Sequence, residues 1–163
     1  MSTTAANGRT RESVWDYPRP PRIEPVDRQV RVELGGEVLA ESDRAVRVLE
    51  TAGPPTIYVP PEDVRLNLLR PAKGTTMCEW KGTASYRDAV AGEKVRPRAA
   101  WTYEEPKPEF DQIRGWISFY PGRVDGAYLD DERAGPQPGS FYGGWITAEI
   151  EGPFKGEPGT EGW

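Results

Sequence analysis

The chain has 163 residues, of which 36% are apolar and 29% charged, with a net charge of -5 and no histidine. A domain of this length buries about 70% of the surface that its unfolded chain exposes, so a single domain with its own core is expected. The acidic balance and the lack of any long basic run argue against nucleic acid and an anionic membrane as partners. Composition leaves the oligomeric state open.

Composition also limits the compartment and the metal chemistry. The first residues lack the apolar stretch of a secretory signal, no segment approaches the roughly 20 apolar residues of a membrane span, and the one cysteine fits a reducing compartment, so we expect a cytoplasmic protein. Without histidine, Ser-His-Asp and Cys-His pairs and imidazole zinc sites are excluded, and one cysteine excludes a four-thiolate zinc site. The acidic run Asp130-Asp131-Glu132 is more typical of a solvated loop than of a cation site. We expect no metal and no cofactor.

In chain order, the first half of the sequence predicts short strands after a disordered start. Alternating apolar residues followed by Gly35-Gly36 predict a β-hairpin, and proline-rich stretches are extended because proline fixes φ and lacks a backbone donor. Pro61, with two acids behind it, predicts the start of a short helix. The predicted elements are a disordered segment over 1–13, an extended segment over 15–25, strands over 30–34, 37–40, 44–50 and 56–59, and a helix over 61–69.

The second half predicts further strands and a packed tail. Strands are predicted over 75–80, 83–87, 98–103 and 116–120, with a final hairpin into 128–129. The Gly/Pro-rich segment 136–163 keeps several aromatic residues, which disordered tails lack, so we expect it to pack on a β-rich domain over 14–135. The expected fold class is mainly β: one domain of antiparallel sheets with one short helix and extended, packed termini.

The segment over 76–86 carries the side chains with the greatest chemical potential. Cys78 is close in sequence to Lys81, a cation able to lower the pKa of a thiol. Strand alternation places Cys78 on the face of Trp80 and Lys81 on the opposite face unless a bulge or turn intervenes, which favours Cys78 as a buried packing residue. Glu50 ends a strand and is a candidate to face Lys81 across a pocket, as an ion pair or an acid/base couple. Cys78, Lys81 and Glu50 are the catalytic candidates.

Six tryptophans and seven tyrosines are many for this length, and several lie on or beside predicted strands. With basic side chains nearby, they predict a cage for a flat or cationic ligand. The alternative is that the rings fill the core of a small β domain, since each buries much apolar area without any ligand. The predicted ligand-binding residues are Arg47, Glu50, Tyr58, Cys78, Trp80, Lys81, Tyr86, Trp101 and Tyr103.

Several separate motifs, in order over about residues 28 to 130, resemble the bacterial domain-of-unknown-function family 427. They are Arg47-Val48-Leu49-Glu50-Thr51, Tyr58-Val59-Pro60, Thr76-x-Cys78-x-Trp80-Lys81-Gly82-x-Ala84-x-Tyr86, Ala100-Trp101-x-Tyr103 and Phe119-Tyr120. The resemblance implies a β-tent fold similar in topology to the ligand domain of cereblon, where aromatic side chains cage a small cyclic ligand. Cereblon-type domains bind zinc through two Cys-x-x-Cys pairs, and this chain has only Cys78, so no metal site is implied.

The same family carries a nucleotidyltransferase-like label. That activity rests on a Gly-Ser pair followed by paired carboxylates that hold magnesium. The nearest match here is Gly139-Ser140 with Glu149 and Glu151, in a proline-rich tail where no helix follows the pair. Because the carboxylates are glutamates and no helix follows the Gly-Ser pair, the nucleotidyltransferase-like label has little physical support.

These observations favour a small-molecule-binding module with an aromatic pocket and a polar handle made of lysine, arginine and glutamate. The expected partner is an unidentified small molecule. One alternative is an enzyme that uses Cys78, Lys81 or Glu50. Another is an interaction domain that offers its aromatic tail to a protein partner.

Overall fold

The computed structural model describes residues 3–139, 141–160 and 163. Strands dominate these residues, because β-branched and aromatic residues alternate with polar ones and Gly or Pro interrupts them at short intervals. The strands are β1 (Glu12–Ser13), β2 (Arg22–Pro25), β3 (Val30–Leu34), β4 (Glu37–Ser42), β5 (Val46–Leu49), β6 (Thr56–Val59), β7 (Leu69–Cys78), β8 (Gly82–Ala91), β9 (Lys94–Thr102), β10 (Ile117–Phe119), β11 (Gly126–Leu129), β12 (Glu132–Arg133), β13 (Gly135–Pro136), β14 (Trp145–Ile146) and β15 (Ile150–Glu151). Short 3-10 helices connect them at Val14–Asp16, Pro61–Asp63, Leu66–Leu68, Pro108–Ile113 and Pro121–Arg123.

Two antiparallel sheets organise most of these strands. The larger has seven strands in the order β2-β5-β6-β10-β9-β8-β7, and the smaller has four in the order β12-β11-β3-β4. β13 pairs with β14 in antiparallel fashion, and β1 pairs with β15 in parallel. The mainly β fold class predicted from the sequence is therefore confirmed.

The main core joins the two sheets. Val32 and Leu34 on the smaller sheet and Ile57, Val59 and Phe119 on the larger belong to one cluster of buried side chains. Side chains alternate between the faces of a strand, so the residues between these core positions lie on the other face of the larger sheet. That face carries a second, aromatic cluster, and the candidate site is built there.

Local turn chemistry agrees with the predicted hairpin. Gly35 and Gly36 have φ values of 60° and 79° and join β3 to β4, as a type I′ turn requires. A Cβ on Gly35 would lie 2.4 Å from the carbonyl oxygen of Ala91, so the neighbouring strand excludes a side chain there. The predicted helical region over 61–69 consists of two 3-10 turns, and the extended Val64 between them bridges to Ala40 of β4.

The N-terminal segment, expected from the sequence to be disordered over residues 1–13, makes backbone contacts with other segments where it is described. Thr4 bridges to Thr10, and Glu12–Ser13 pairs with the C-terminal strand β15. Met1 and Ser2 lie outside the described residues. The order comes from a strand about 140 residues further along the chain, and no local pattern signals such a partner.

The C-terminal segment packs on the sheets. Trp145 is 1% exposed, and its indole N–H donates to the carbonyl of Phe119 at 3.0 Å. Ser140, Glu161 and Gly162 lie outside the described residues. In the described ranges, none of the helices is long and apolar enough to span a membrane.

Candidate functional site

A row of aromatic side chains crosses the outer face of the larger sheet. In the strand register, Tyr58 lies opposite Ser118, Ser118 opposite Trp101, and Trp101 opposite Tyr86. Directly opposed residues in an antiparallel sheet point to the same face, so three rings line up across four strands. Tyr103, two residues beyond Trp101, joins them on that face. We call Tyr58, Tyr86, Trp101 and Tyr103 the aromatic floor.

The floor forms the base of a cavity of about 460 Å³. Eight of the nine ligand-binding residues predicted from the sequence line it: Glu50, Tyr58, Cys78, Trp80, Lys81, Tyr86, Trp101 and Tyr103. Cavities of this size hold small molecules, with apolar walls and a few polar groups that fix orientation. The structure thus brings these predicted residues together around one half-open cavity.

Ring contacts and hydrogen bonds fix the floor. The Tyr58 and Trp101 rings meet edge to face with centroids 6.1 Å apart, and the indole N–H of Trp101 donates to the Tyr58 hydroxyl at 3.1 Å. Tyr86 shares a hydrogen bond of 2.9 Å with the Thr76 hydroxyl. Burial raises the pKa of both Tyr58 and Tyr103, so both phenols stay neutral. The floor therefore offers rings and hydroxyl groups without negative charge.

Lys81 is the buried cation of the cavity. It is 8% exposed, and its ammonium lies 3.9 Å from a Glu50 carboxylate oxygen and 6.0 Å from the centre of the Tyr103 ring. Burial works against the charge, but nearby Tyr58, Cys78 and Glu50 outweigh it, and the pKa of Lys81 lies above its usual value. In the described part of the chain, the ammonium makes no hydrogen bond to an oxygen atom. Lys81 is thus a protonated donor with capacity for a further acceptor.

The turn between β7 and β8 explains why Lys81 and Cys78 meet. Cys78 ends β7 and lies opposite Gly82, so residues 79–81 form a tight loop that carries Lys81 back over the strand. The thiol and the Lys81 ammonium line the same cavity, and Cys78 contributes to the raised pKa of Lys81. The sequence prediction separated these two side chains unless a bulge or turn intervened, and here the turn begins directly after Cys78. Cys78 is half-buried in the cavity wall.

Arg47 is the one predicted ligand-binding residue that the structure places elsewhere. It lies between Val46 and Val48 on β5, and both valines belong to the aromatic cluster, so Arg47 points to the opposite face. Its guanidinium donates to Glu12 at 2.6 Å and to Glu24 at 2.7 Å. It joins the N-terminal segment to the sheet and takes no part in the cavity.

Sequence reasoning missed the residues that close the cavity. We call these six residues the terminal rim: Arg19, Gln137, Phe141, Tyr142, Lys155 and Trp163. Gly143 also lies here, and a Cβ on it would stand 2.5 Å from two ring carbons of Trp101. A double glycine before a buried tryptophan was the one available signal, because a missing side chain permits close approach to a ring.

The carboxylates noted for the nucleotidyltransferase-like label lie away from the cavity. Glu149 is buried and accepts from Arg28 at 3.1 Å, whereas Glu151 is exposed. Ser140 is outside the described residues, so the Gly-Ser half of that pattern stays a sequence observation. Among the residues with described placement, no three acidic or cysteine side chains group as metal ligands would. Within Asp130-Asp131-Glu132, Glu132 pairs with Arg28 at 2.9 Å.

Comparison with known proteins agrees with the motif resemblance. No curated protein matches the chain. Residues 22–130, well over half of the chain, match the model of a family described as a domain of unknown function. That range contains the aromatic floor, Lys81 and Glu50, whereas the terminal rim lies wholly outside it. The chain therefore belongs to the DUF427 family of domains of unknown function.

Proposed function

We propose that this protein binds a small planar molecule in the cavity, with its ring against the aromatic floor and a hydrogen-bond acceptor on Lys81. The observation that carries the proposal is the buried, protonated Lys81. An ammonium taken out of water costs several kcal/mol unless it is well paired. Here its carboxylate partner is 3.9 Å away. A ligand carbonyl or acid oxygen would supply the missing acceptor.

The charge of Lys81 also selects among ligand classes. An aromatic cage alone suits a cationic ligand. A second cation in this cavity would be repelled by the ammonium, which lies at the same rings. Neutral or acidic planar compounds are therefore the favoured class. The β-tent resemblance supports the same direction by analogy, since the cereblon domain cages a small cyclic ligand in aromatic side chains.

The raised pKa of Lys81 argues against a lysine nucleophile. An amine attacks only in its neutral form, and enzymes that use lysine this way lower its pKa. A second candidate function rests instead on Cys78, because it lines the same cavity as Lys81, and reactive cysteines in proteins are typically found beside a cation. Alkylation of the native protein with iodoacetamide tests it. Labelling at pH 7 that is no faster than for a free thiol removes the case for a catalytic cysteine.

A thermal-shift screen of planar lactams, imides and aromatic acids tests the binding proposal. A compound that binds only the folded form raises Tm by mass action. We expect hits whose shift is lost in Trp101→Leu and in Lys81→Met but kept in Lys73→Met, an exposed lysine outside the cavity. A screen without hits, or hits that persist in both cavity variants, would overturn the proposal.

A further inference from the structure

The mouth of the cavity is built by segments that the family match does not cover. The match spans residues 22–130, and every member of the terminal rim lies before or after it. The family core thus supplies the floor and Lys81, while the two termini of this chain supply the entrance.

Two cations of the terminal rim are anchored on adjacent residues of one turn. The Arg19 guanidinium donates to the carbonyl of Thr51 at 3.4 Å. The backbone N–H of Lys155 donates to the carbonyl of Ala52 at 2.7 Å, and the Gln137 side chain donates to the carbonyl of Lys155 at 2.7 Å. The Arg19 guanidinium and the Lys155 backbone are therefore both fixed at the turn that follows Glu50.

Neither cation is neutralised by the protein. In the part of the chain that the structure describes, Arg19 and Lys155 form no ion pair; the Lys155 ammonium lies 4.6 Å from the centre of the Tyr142 ring. With Lys81 they make three cations around the cavity, against the carboxylates of Glu50 and Glu79. The chain as a whole has a net charge of -5, so the sign of charge is reversed locally. A cleft with an excess of one sign of charge beside low-dielectric walls attracts ligands of the opposite sign.

We propose that the terminal rim binds an acidic group, so that the ligand is an anion: a planar ring for the floor, joined to a carboxylate, sulfonate or phosphate held between Arg19 and Lys155. This rests on the proposed function, because the floor must hold the ring for the rim to reach the acid. Lys81 satisfies an acceptor on the ring, and the rim selects the charged substituent. The family core alone would bind the ring without this preference.

A matched pair of fluorescent probes separates the two parts. N-phenyl-1-naphthylamine is an uncharged aromatic dye, and 8-anilinonaphthalene-1-sulfonate is the same ring system with one sulfonate. Both brighten in apolar surroundings, so their dissociation constants come from titration of the full chain. We expect the sulfonate to bind about tenfold more tightly, a free-energy difference of about 1.4 kcal/mol. That excess should shrink in 0.5 M salt, since the rim is partly exposed and screening acts on it.

Variants test whether the terminal rim causes the tighter binding of the sulfonate dye. In R19Q/K155Q the affinity ratio of the two dyes should fall to about one or two. The matched control R70Q/K73Q also removes two positive charges, both exposed and outside the cavity, and should keep the ratio near ten. Trp101→Leu should weaken both dyes together. Circular dichroism and Tm confirm that each variant is folded, so that a lost signal reports the site.

The dye titrations distinguish failure of the acidic-group proposal from failure of the proposed function. Binding of both dyes with equal affinity in the unmodified protein refutes the acidic-group proposal and leaves the proposed function standing. An excess that survives in R19Q/K155Q refutes it as well, because the acid would then be held elsewhere. Failure of both dyes to bind, together with a thermal-shift screen without hits, overturns the proposed function itself.

Discussion

Replacing Lys81 by methionine should make the protein more stable while abolishing binding. The Lys81 side chain is 10% exposed, and its ammonium has one carboxylate partner, at 3.9 Å. Replacing both members of a buried ion pair by apolar residues of similar volume leaves a protein equally stable or more stable, by up to about 4 kcal/mol, whereas removing one member is costly only where the other charge stays buried. Methionine fills a similar space and its sulfur packs well on the surrounding rings. Glu50, whose side chain is 29% exposed, can be solvated once its partner is gone.

We expect a gain of about 1 kcal/mol in the free energy of unfolding of Lys81→Met. For a domain of this size, that corresponds to a rise in Tm of roughly 2–4 °C. Urea titration followed by tryptophan fluorescence measures the change, and the exposed Lys73→Met serves as control, with an expected change within about 0.5 kcal/mol. A loss of 1 kcal/mol or more would refute the reasoning, because Lys81 would then be a structural residue rather than one retained for a ligand.

Three further predictions concern Gly143, the stability of the protein in acid and the Cys78 thiol. Gly143→Ala should cost about 1–3 kcal/mol by overpacking and alter the emission of the ring below it, whereas Gly53→Ala, with nothing closer than 3.8 Å, should be tolerated. Although burial opposes it, hydrogen bonding from Arg47 lowers the pKa of Glu12, so this stabilisation is full above the unfolded pKa of about 4.3 and is lost as pH falls further. An acid titration that is unchanged in Glu12→Gln would contradict this. Cys78 should alkylate more slowly in the presence of a bound dye, and equal rates would place the dye outside the cavity.

The placement of much of the aromatic floor can be predicted from the local geometry of single strands. Trp101 and Tyr103 are two residues apart on one strand, so alternation alone places them on a common face. The same rule, applied consistently, would also have excluded Arg47, since it lies between two apolar neighbours that belong on the cavity face. The pairing of Glu50 with Lys81 was anticipated from a strand end facing a pocket, and the 3.9 Å contact agrees with it.

The remaining features depend on contacts between distant parts of the chain. The N-terminal strand exists because Glu12–Ser13 pairs with β15, and no sequence pattern near residue 12 records that partner. The terminal rim likewise needs the tail to return to the turn after β5, where Ala52 accepts from the backbone of Lys155. Register between such segments is set by tertiary packing, which local propensity does not report.

The position of Lys81 depends both on local strand geometry and on contacts between distant segments. A sequence that only had to fold would avoid a buried ammonium whose carboxylate partner is 3.9 Å away, because taking such a charge out of water is costly. Departures of this kind concentrate at functional sites. Here the departure lies where the aromatic floor of the family core meets cations brought in by both termini. An anion with a planar ring would satisfy the aromatic floor, Lys81 and the rim cations at once, which no neutral or cationic ligand does.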